Sequence, residues 1–325
     1  EAYAEARPLY ARAADAQEAV LGADHELVVR ARNNLERLRL TEANLLASAP
    51  PAPQLRGPDI AVGPSPLARR GHDRALLFAV NQYDDPHFAP LSNPLFDAET
   101  LAGLLQESYG FETLVIRNPT RGEILDALRE ARTANPPENS QFFVFFAGHG
   151  VLDGGRERGL GYLIPRDAVA GEFSTYVSYS EIGDNLEILP DQRVLAVFDA
   201  CYGGAFFKSR TAFRGDDPPP YEPRSLARVV EKYAPLRARL ALTSGQGDEP
   251  VSEGVRGQHS PFAYALISAL RNAGDDGLVT FEELKTYTDA VEGQSPGGGP
   301  FGYTEPGATF FFLDPDLAGD MSRLE

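Results

Sequence analysis

The chain has 325 residues, of which 42% are hydrophobic and 24% charged, and this composition is typical of a folded globular protein rather than a disordered or collagen-like one. Its formal net charge of −17 argues against nucleic acid as the main partner, because phosphate binding requires clustered lysine and arginine side chains. The single cysteine, Cys201, cannot form an internal disulfide bond, which excludes a secreted disulfide scaffold.

Residues 1–47 carry apolar residues at helical spacing on both sides of a turn at Gly22, which predicts two helices. The run AEARPLYARAADAQEAVLGADHELVVRARNNLERL resembles tetratricopeptide repeats of the kinesin-light-chain type. The match covers little more than one repeat, and such repeats bury their faces against neighbouring copies. The resemblance therefore implies further repeats upstream and a docking surface for a regulatory protein. The alternative is a plain helical hairpin packed on the main domain.

Residues 48–72 contain six prolines and no apolar periodicity, which indicates a linker and a domain boundary. Over residues 73–315, apolar runs alternate with amphipathic stretches. The predicted strands are 74–80, 112–118, 141–147, 193–200, 239–244 and 308–313, and the predicted helices are 97–109, 121–134, 180–188, 260–272 and 281–291. Strands that are apolar on both faces and separated by helices predict an α/β fold with a mostly parallel six-stranded sheet flanked by helices.

The cellular location is predicted from two features that the sequence lacks. No apolar run approaches the roughly 20 residues of a membrane-spanning helix, and no signal-peptide pattern opens the chain. We therefore predict a cytoplasmic protein with no membrane partner. Lysine occurs only at positions 208, 232 and 285, a bias typical of a GC-rich bacterial genome. Because the chain opens with Glu1 and its one methionine is Met321, we expect a fragment or a processed product.

Two predicted strands end in residues that can perform chemistry. QFFVFFA leads into Gly148-His149-Gly150, and RVLAVFDA leads into Cys201. Sites in parallel sheets form where the carboxyl ends of strands open into loops, so neighbouring strands would place the imidazole and the thiol on one rim. A thiolate there can attack a carbonyl carbon while the imidazole protonates the departing amine. The alternatives are structural: a buried small cysteine and a loop histidine.

FFAGHG, followed about 50 residues later by FDACYGG, resembles the signature of the caspase-like cysteine peptidases. The resemblance extends over roughly residues 73–313 and implies the caspase-hemoglobinase fold. It implies Cys201 as the nucleophile, His149 as the general acid and base, and the backbone N–H groups of Cys201 and Gly150 as an oxyanion hole. It implies no third catalytic residue. The remaining histidines are interpreted as ordinary surface or packing residues: His25, His72, His87 and His259.

The resemblance also bears on the specificity pocket. Caspases that cleave after Asp carry basic and neutral residues there, whereas metacaspases and paracaspases, which cleave after Arg or Lys, carry acidic ones. Asp199 and Asp97 stand at the matching positions, and two carboxylates would bind a guanidinium group through paired hydrogen bonds. The alternatives are a helix N-cap for Asp97 and a solvated strand end for Asp199. We predict an endopeptidase that cleaves protein substrates after Arg, and by extension Lys.

The chain departs from the metacaspase pattern in two places. Ala147 stands where metacaspases usually have Ser, which removes one hydroxyl from the pocket. Residues 151–165 lack the dense acidic cluster of the calcium-dependent members, which argues against calcium activation. The run NAGDDGLVTFEE, residues 272–283, matches an EF-hand loop only in part and is interpreted as a turn followed by a helix N-terminus. No cofactor and no metal are therefore expected, and calcium is the alternative that the sequence leaves open.

The connection after the fourth predicted strand is long, which is typical of functional or disordered loops. Within residues 205–228 it contains Lys208, Arg210, Arg214 and Arg224 near a proline-rich break. In the family this region is often cut during activation, so we predict a zymogen activated by cleavage there; the alternative is a surface loop. The competing functions are a catalytically silent binding scaffold and a thiol-dependent amidase or acyl transferase.

Overall fold

The computed structural model describes residues 73–154, 159–208, 232–245, 251, 254–255, 257–272 and 277–315. The tetratricopeptide-like segment 1–47 and the linker 48–72 lie outside the described residues, so both stay predictions. No helix among the described residues is long and apolar enough to cross a membrane.

The described part of the chain contains both strands and helices. In order they are β1 (Arg74–Ala79), α1 (Pro94–Tyr109), β2 (Glu112–Arg117), α2 (Arg121–Thr133), β3 (Gln141–Ala147), β4 (Gly150–Asp153), β5 (Leu160–Leu163), a 3-10 turn (Phe173–Thr175), β6 (Val177–Ser178), α3 (Tyr179–Glu187), β7 (Arg193–Asp199), α4 (Ala205–Lys208), β8 (Ala238–Thr243), α5 (Pro261–Arg271), β9 (Leu278–Thr280), α6 (Phe281–Asp289), β10 (Gly297–Pro300) and β11 (Phe311–Leu313).

The main sheet has six strands in the order β10-β8-β7-β3-β1-β2. All neighbouring pairs are parallel except β10 with β8. The two central strands, β3 and β7, are buried at every position, which explains their unbroken apolar sequences. Two separate apolar clusters cover the two faces of the sheet, one with α1, α5 and α6 and the other with α2 and α3. The predicted α/β fold with a mostly parallel six-stranded sheet is confirmed.

The sixth strand of this sheet differs from the prediction. Residues 308–313 were expected to supply it, but β11 instead pairs with β9 in a separate two-stranded antiparallel sheet. The place at the edge is taken by β10, whose sequence is GGGP. Glycine carries no side chain and proline no N–H group, so neither hydrophobic periodicity nor strand propensity indicates this strand.

The run 272–283, which matches an EF-hand loop in part, leads into a helix cap. Thr280 is the N-cap of α6, and the Glu283 carboxylate accepts hydrogen bonds from the Thr280 backbone nitrogen at 2.7 Å and its Oγ1 at 2.8 Å. The predicted helix N-terminus is therefore confirmed, while residues 273–276 of the same run lie outside the described part. Within that described part, no group of three or more His, Cys, Asp and Glu side chains could hold a metal ion.

Candidate active site

The ends of β3 and β7 bring His149 and Cys201 to one edge of the sheet. The two strands pair in parallel with Ala147 opposite Asp199, so the chain leaves both strands side by side. His149 and Cys201 line a common cavity of about 120 Å³. The two acidic residues chosen from the sequence, Asp97 and Asp199, line the same cavity.

Gly150 lies against the backbone of the cysteine turn. A Cβ atom added to Gly150 would stand 2.1 Å from the Cys201 carbonyl oxygen, far inside contact distance, so no other residue fits without a shift of the backbone. The turn itself is tight, because Tyr202 adopts a left-handed φ of 61°. For a residue other than glycine this conformation costs about 1 kcal/mol, which the surrounding packing must offset. Glycine at position 150 thus permits a backbone approach that holds the two strand ends together.

The imidazole of His149 is oriented by the loop that follows β1. Its Nε2 atom lies 2.8 Å from the carbonyl oxygen of Ala89. A carbonyl oxygen only accepts hydrogen bonds, so Nε2 carries the proton and Nδ1 keeps a free lone pair. The backbone N–H group of His149 donates to the Tyr83 hydroxyl at 2.9 Å, and the two rings lie 4.9 Å apart between centroids. His149 can therefore accept a proton at Nδ1.

Ala89 and Tyr83 were not found from the sequence. Every residue carries a carbonyl group, so no motif distinguishes Ala89. Tyr83 follows a strand, as many packing aromatics do. Only the folding of the loop after β1 over the end of β3 places these groups beside the imidazole.

The thiol of Cys201 is partly buried and neutral in the resting protein. Burial raises the pKa of Cys201, and the negative charge of Asp199 raises it further, whereas the Val251 N–H group lowers it. That N–H group donates to Sγ across 3.4 Å. Because the thiolate is the nucleophilic form, a base has to remove the proton.

Both carboxylates are buried, with Asp97 1% and Asp199 8% exposed. The alternative roles given to them are therefore wrong. Helix α1 begins at Pro94 with Asn93 at the N-cap position, three residues earlier than predicted, so Asp97 lies within its first turn. Asp199 is shielded from solvent, and burial raises its pKa to about 6, an effect that a hydrogen bond from Ser260 opposes.

His259 is the residue whose interpretation the structure corrects. It is not an ordinary surface or packing histidine, because its Nδ1 atom lies 2.6 Å from Oδ1 of Asp97. The adjacent Ser260 contacts both carboxylates: its N–H group donates to Oδ2 of Asp97 at 3.3 Å, and its hydroxyl donates to Oδ2 of Asp199 at 2.5 Å. His87, by contrast, is exposed and pairs with Asp85, and His25 and His72 lie outside the described residues.

Comparisons with known proteins agree with this architecture. No curated protein shows a significant sequence match. Two solved structures align with a TM-score of 0.51 at 17% identity: a protein from Geobacter sulfurreducens, over 74% of this chain and 96% of that one, and caspase-1 from Spodoptera frugiperda, over 77% and 94%. At this identity they show the fold alone. The family model of the caspase domain matches residues 72–296, and the chain therefore belongs to the caspase-domain family.

Proposed function

We propose that the chain is a cysteine endopeptidase that cleaves protein substrates after Arg, and also after Lys, through a His149–Cys201 dyad. The observation that carries the proposal is the cavity at the ends of β3 and β7, where the imidazole and the thiol lie beside two buried carboxylates. In this proposal the cavity contains a nucleophile, a base and the acidic side chains that bind the substrate.

The proposed reaction follows from the protonation states. His149 Nδ1 accepts the thiol proton, and Sγ attacks the carbonyl carbon of the scissile peptide. The oxyanion accepts hydrogen bonds from the N–H groups of Cys201 and Gly150, and the imidazolium then gives its proton to the departing amine. Water hydrolyses the resulting thioester and restores the thiol. The close approach of Gly150 to Cys201 supports the placing of both N–H groups on one side of the attacked carbon.

The proposed specificity rests on charge. Two carboxylates line the cavity, and the guanidinium group of a substrate arginine carries the complementary positive charge. Its planar fork can donate to Asp97 and Asp199 together, whereas the ammonium of lysine is a point charge. We therefore expect Arg to be preferred over Lys.

The proposal includes a resting zymogen. The Val251 N–H group donates to Sγ, so the thiol has a hydrogen-bond partner before any substrate is bound. We propose that cleavage within residues 205–228 releases the loops around the thiol. Residues 209–231, with Arg210, Arg214 and Arg224, lie outside the described part of the chain. A regulatory protein bound at the helical segment 1–47 is a second proposed control.

The test is cleavage of matched fluorogenic peptides ending in Arg, Lys or Asp, with the Cys201→Ala variant as the control and with calcium added or chelated. With protein nicked within residues 205–228 we expect turnover of Arg over Lys and none of Asp, no calcium requirement, and no activity in the variant. Asp preference would contradict the role of the acidic pocket. If neither the intact protein nor protein nicked within 205–228 cleaves any peptide, a silent scaffold is favoured. Thiol-dependent turnover of small amides alone would favour an amidase.

The pH dependence of Arg cleavage should report the pocket charge. The pKa of Asp199 is raised to about 6, so this carboxylate becomes protonated as the pH falls through 6 and the pocket loses negative charge. We expect kcat/KM for an Arg peptide to fall below pH 6 more steeply than for a peptide with neutral citrulline at the same position. The ratio of kcat/KM for the Arg peptide to that for the citrulline peptide cancels the titration of enzyme groups that affect both substrates equally. A ratio that stays constant from pH 5 to pH 8 would contradict the assignment.

A further inference from the structure

We propose that His259 is a positioning residue of the specificity pocket, which holds the Asp97 carboxylate in the orientation that binds a guanidinium group. The inference rests on the proposed function and deepens it. His259 contacts the pocket through Asp97 and is not itself placed against the substrate.

The first support is the hydrogen bond between the two side chains. Nδ1 of His259 lies 2.6 Å from Oδ1 of Asp97, and their side chains are 14% and 1% exposed. An ionised carboxylate can only accept, so Nδ1 carries the hydrogen and Nε2 is the bare nitrogen of a neutral ring. Without His259, the Asp97 carboxylate would keep the longer contact with the Ser260 N–H group but lose the shorter one, so it would rotate towards another donor or take up a proton. Either response would remove negative charge from its place in the pocket.

The second support is that the imidazole is itself held in one orientation. Its ring stacks on Phe96, with 4.5 Å between centroids and 16° between planes. Phe96 directly precedes Asp97 on α1, so the stacking surface and the hydrogen-bond acceptor belong to the same turn of helix. The stacking fixes the plane of the ring, and the hydrogen bond fixes which edge of the ring faces Asp97.

The third support is the position of His259 in the chain. Ser260, the next residue, is the N-cap of α5 and accepts a hydrogen bond from the Ala263 N–H group at 2.9 Å. Because the hydroxyl of Ser260 donates to Asp199, the dipeptide 259–260 contacts both pocket carboxylates from the start of one helix. Loss of the His259 side chain should therefore disturb Asp97 while the contact of Ser260 with Asp199 stays in place.

The charge state of the ring agrees with this role. Burial lowers the pKa of His259, and the positive charge of Arg271 lowers it further, so the ring is neutral at pH 7. A neutral ring supplies the hydrogen bond without adding a positive charge to the pocket. Since a guanidinium group binds through two hydrogen bonds of fixed direction and an ammonium does not, correct orientation matters more for Arg than for Lys.

The experiment compares His259→Phe with His259→Asn in the full chain. Phenylalanine keeps a flat ring against Phe96 but has no donor, whereas the Asn amide offers an N–H group close to the place of Nδ1. For His259→Phe we expect kcat/KM with Arg peptides to fall by about tenfold or more, mainly through KM, and the preference for Arg over Lys to shrink. His259→Asn should recover most of the loss. Gln258→Ala, an exposed change next to His259, is the matched control and should act like the wild type.

A double-mutant cycle separates positioning from general damage to the fold. If His259 acts through Asp97, Asp97→Asn should cost much less in the His259→Phe background than in the wild type. Additive losses, or an unchanged Arg preference in folded His259→Phe protein, would overturn the inference while Cys201-dependent cleavage after Arg still stands. If the wild type does not cleave after Arg at all, the proposed function fails first and the inference fails with it. Melting temperatures of all variants exclude unfolding as the cause.

Discussion

Replacement of Cys201 by alanine is expected to lower kcat/KM for Arg peptides by about a thousandfold or more, because no other residue can form the thioester. Cys201 is the only cysteine in the chain, so no second thiol can take its place. Its side chain is small and only partly buried, and alanine removes one sulfur atom without leaving an unpaired charge. The variant should therefore fold like the wild type, which circular dichroism and the melting temperature would check.

A second variant tests the assignment of the base. His149→Ala should reduce turnover by a similar factor while Cys201 is still present, because the neutral thiol then keeps its proton. Alkylation by iodoacetamide distinguishes the two effects: it should be slow in His149→Ala and absent in Cys201→Ala. Residual activity above a few per cent in folded Cys201→Ala protein would show that the thiol is not the nucleophile. Equal alkylation rates in wild type and His149→Ala would contradict the role of the imidazole.

Replacement of Asp199 by asparagine is expected to lower kcat/KM for Arg peptides on the order of a hundredfold, since a buried charge pair is worth a few kcal/mol and each 1.4 kcal/mol is a factor of ten. The melting temperature at pH 7 should not fall. Burial raises the pKa of Asp199 to about 6, so its ionised form destabilises the folded state, and this cost sets in as the pH rises through 6. Asparagine keeps the shape and can still accept from the Ser260 hydroxyl.

Activity and stability should change independently in Asp199→Asn. A merely structural carboxylate would lower both together. The control is Asp126→Asn, an exposed carboxylate on α2, which should change neither quantity. Asp97→Asn should also lower Arg cleavage, and the loss for both variants should be smaller with the neutral citrulline peptide. A large fall in melting temperature for Asp199→Asn, with Arg preference intact, would contradict the pocket assignment.

The sequence by itself determined the fold class and the strand ends at which His149 and Cys201 stand. Central parallel strands are buried on both faces, so QFFVFFA and RVLAVFDA are continuous apolar runs that can be recognised without a structure. The residue after such a run leaves the sheet at its carboxyl edge. Local sequence therefore predicts where each of the two residues leaves the sheet. The two residues come together because β3 and β7 are neighbours in the strand order.

Only the tertiary structure decided which groups meet those residues. The Ala89 carbonyl reaches His149, and His259 reaches Asp97 from the loop before α5, although each pair is far apart in the chain. Neither contact leaves a local pattern, because a backbone carbonyl is common to all residues and a histidine before a helix is unremarkable. The glycine-rich strand β10 and the burial of Asp97 likewise depend on what packs against them. The spacing of apolar residues indicates which face of a single helix or strand is buried. These contacts instead join residues from separate elements, so that spacing does not predict them.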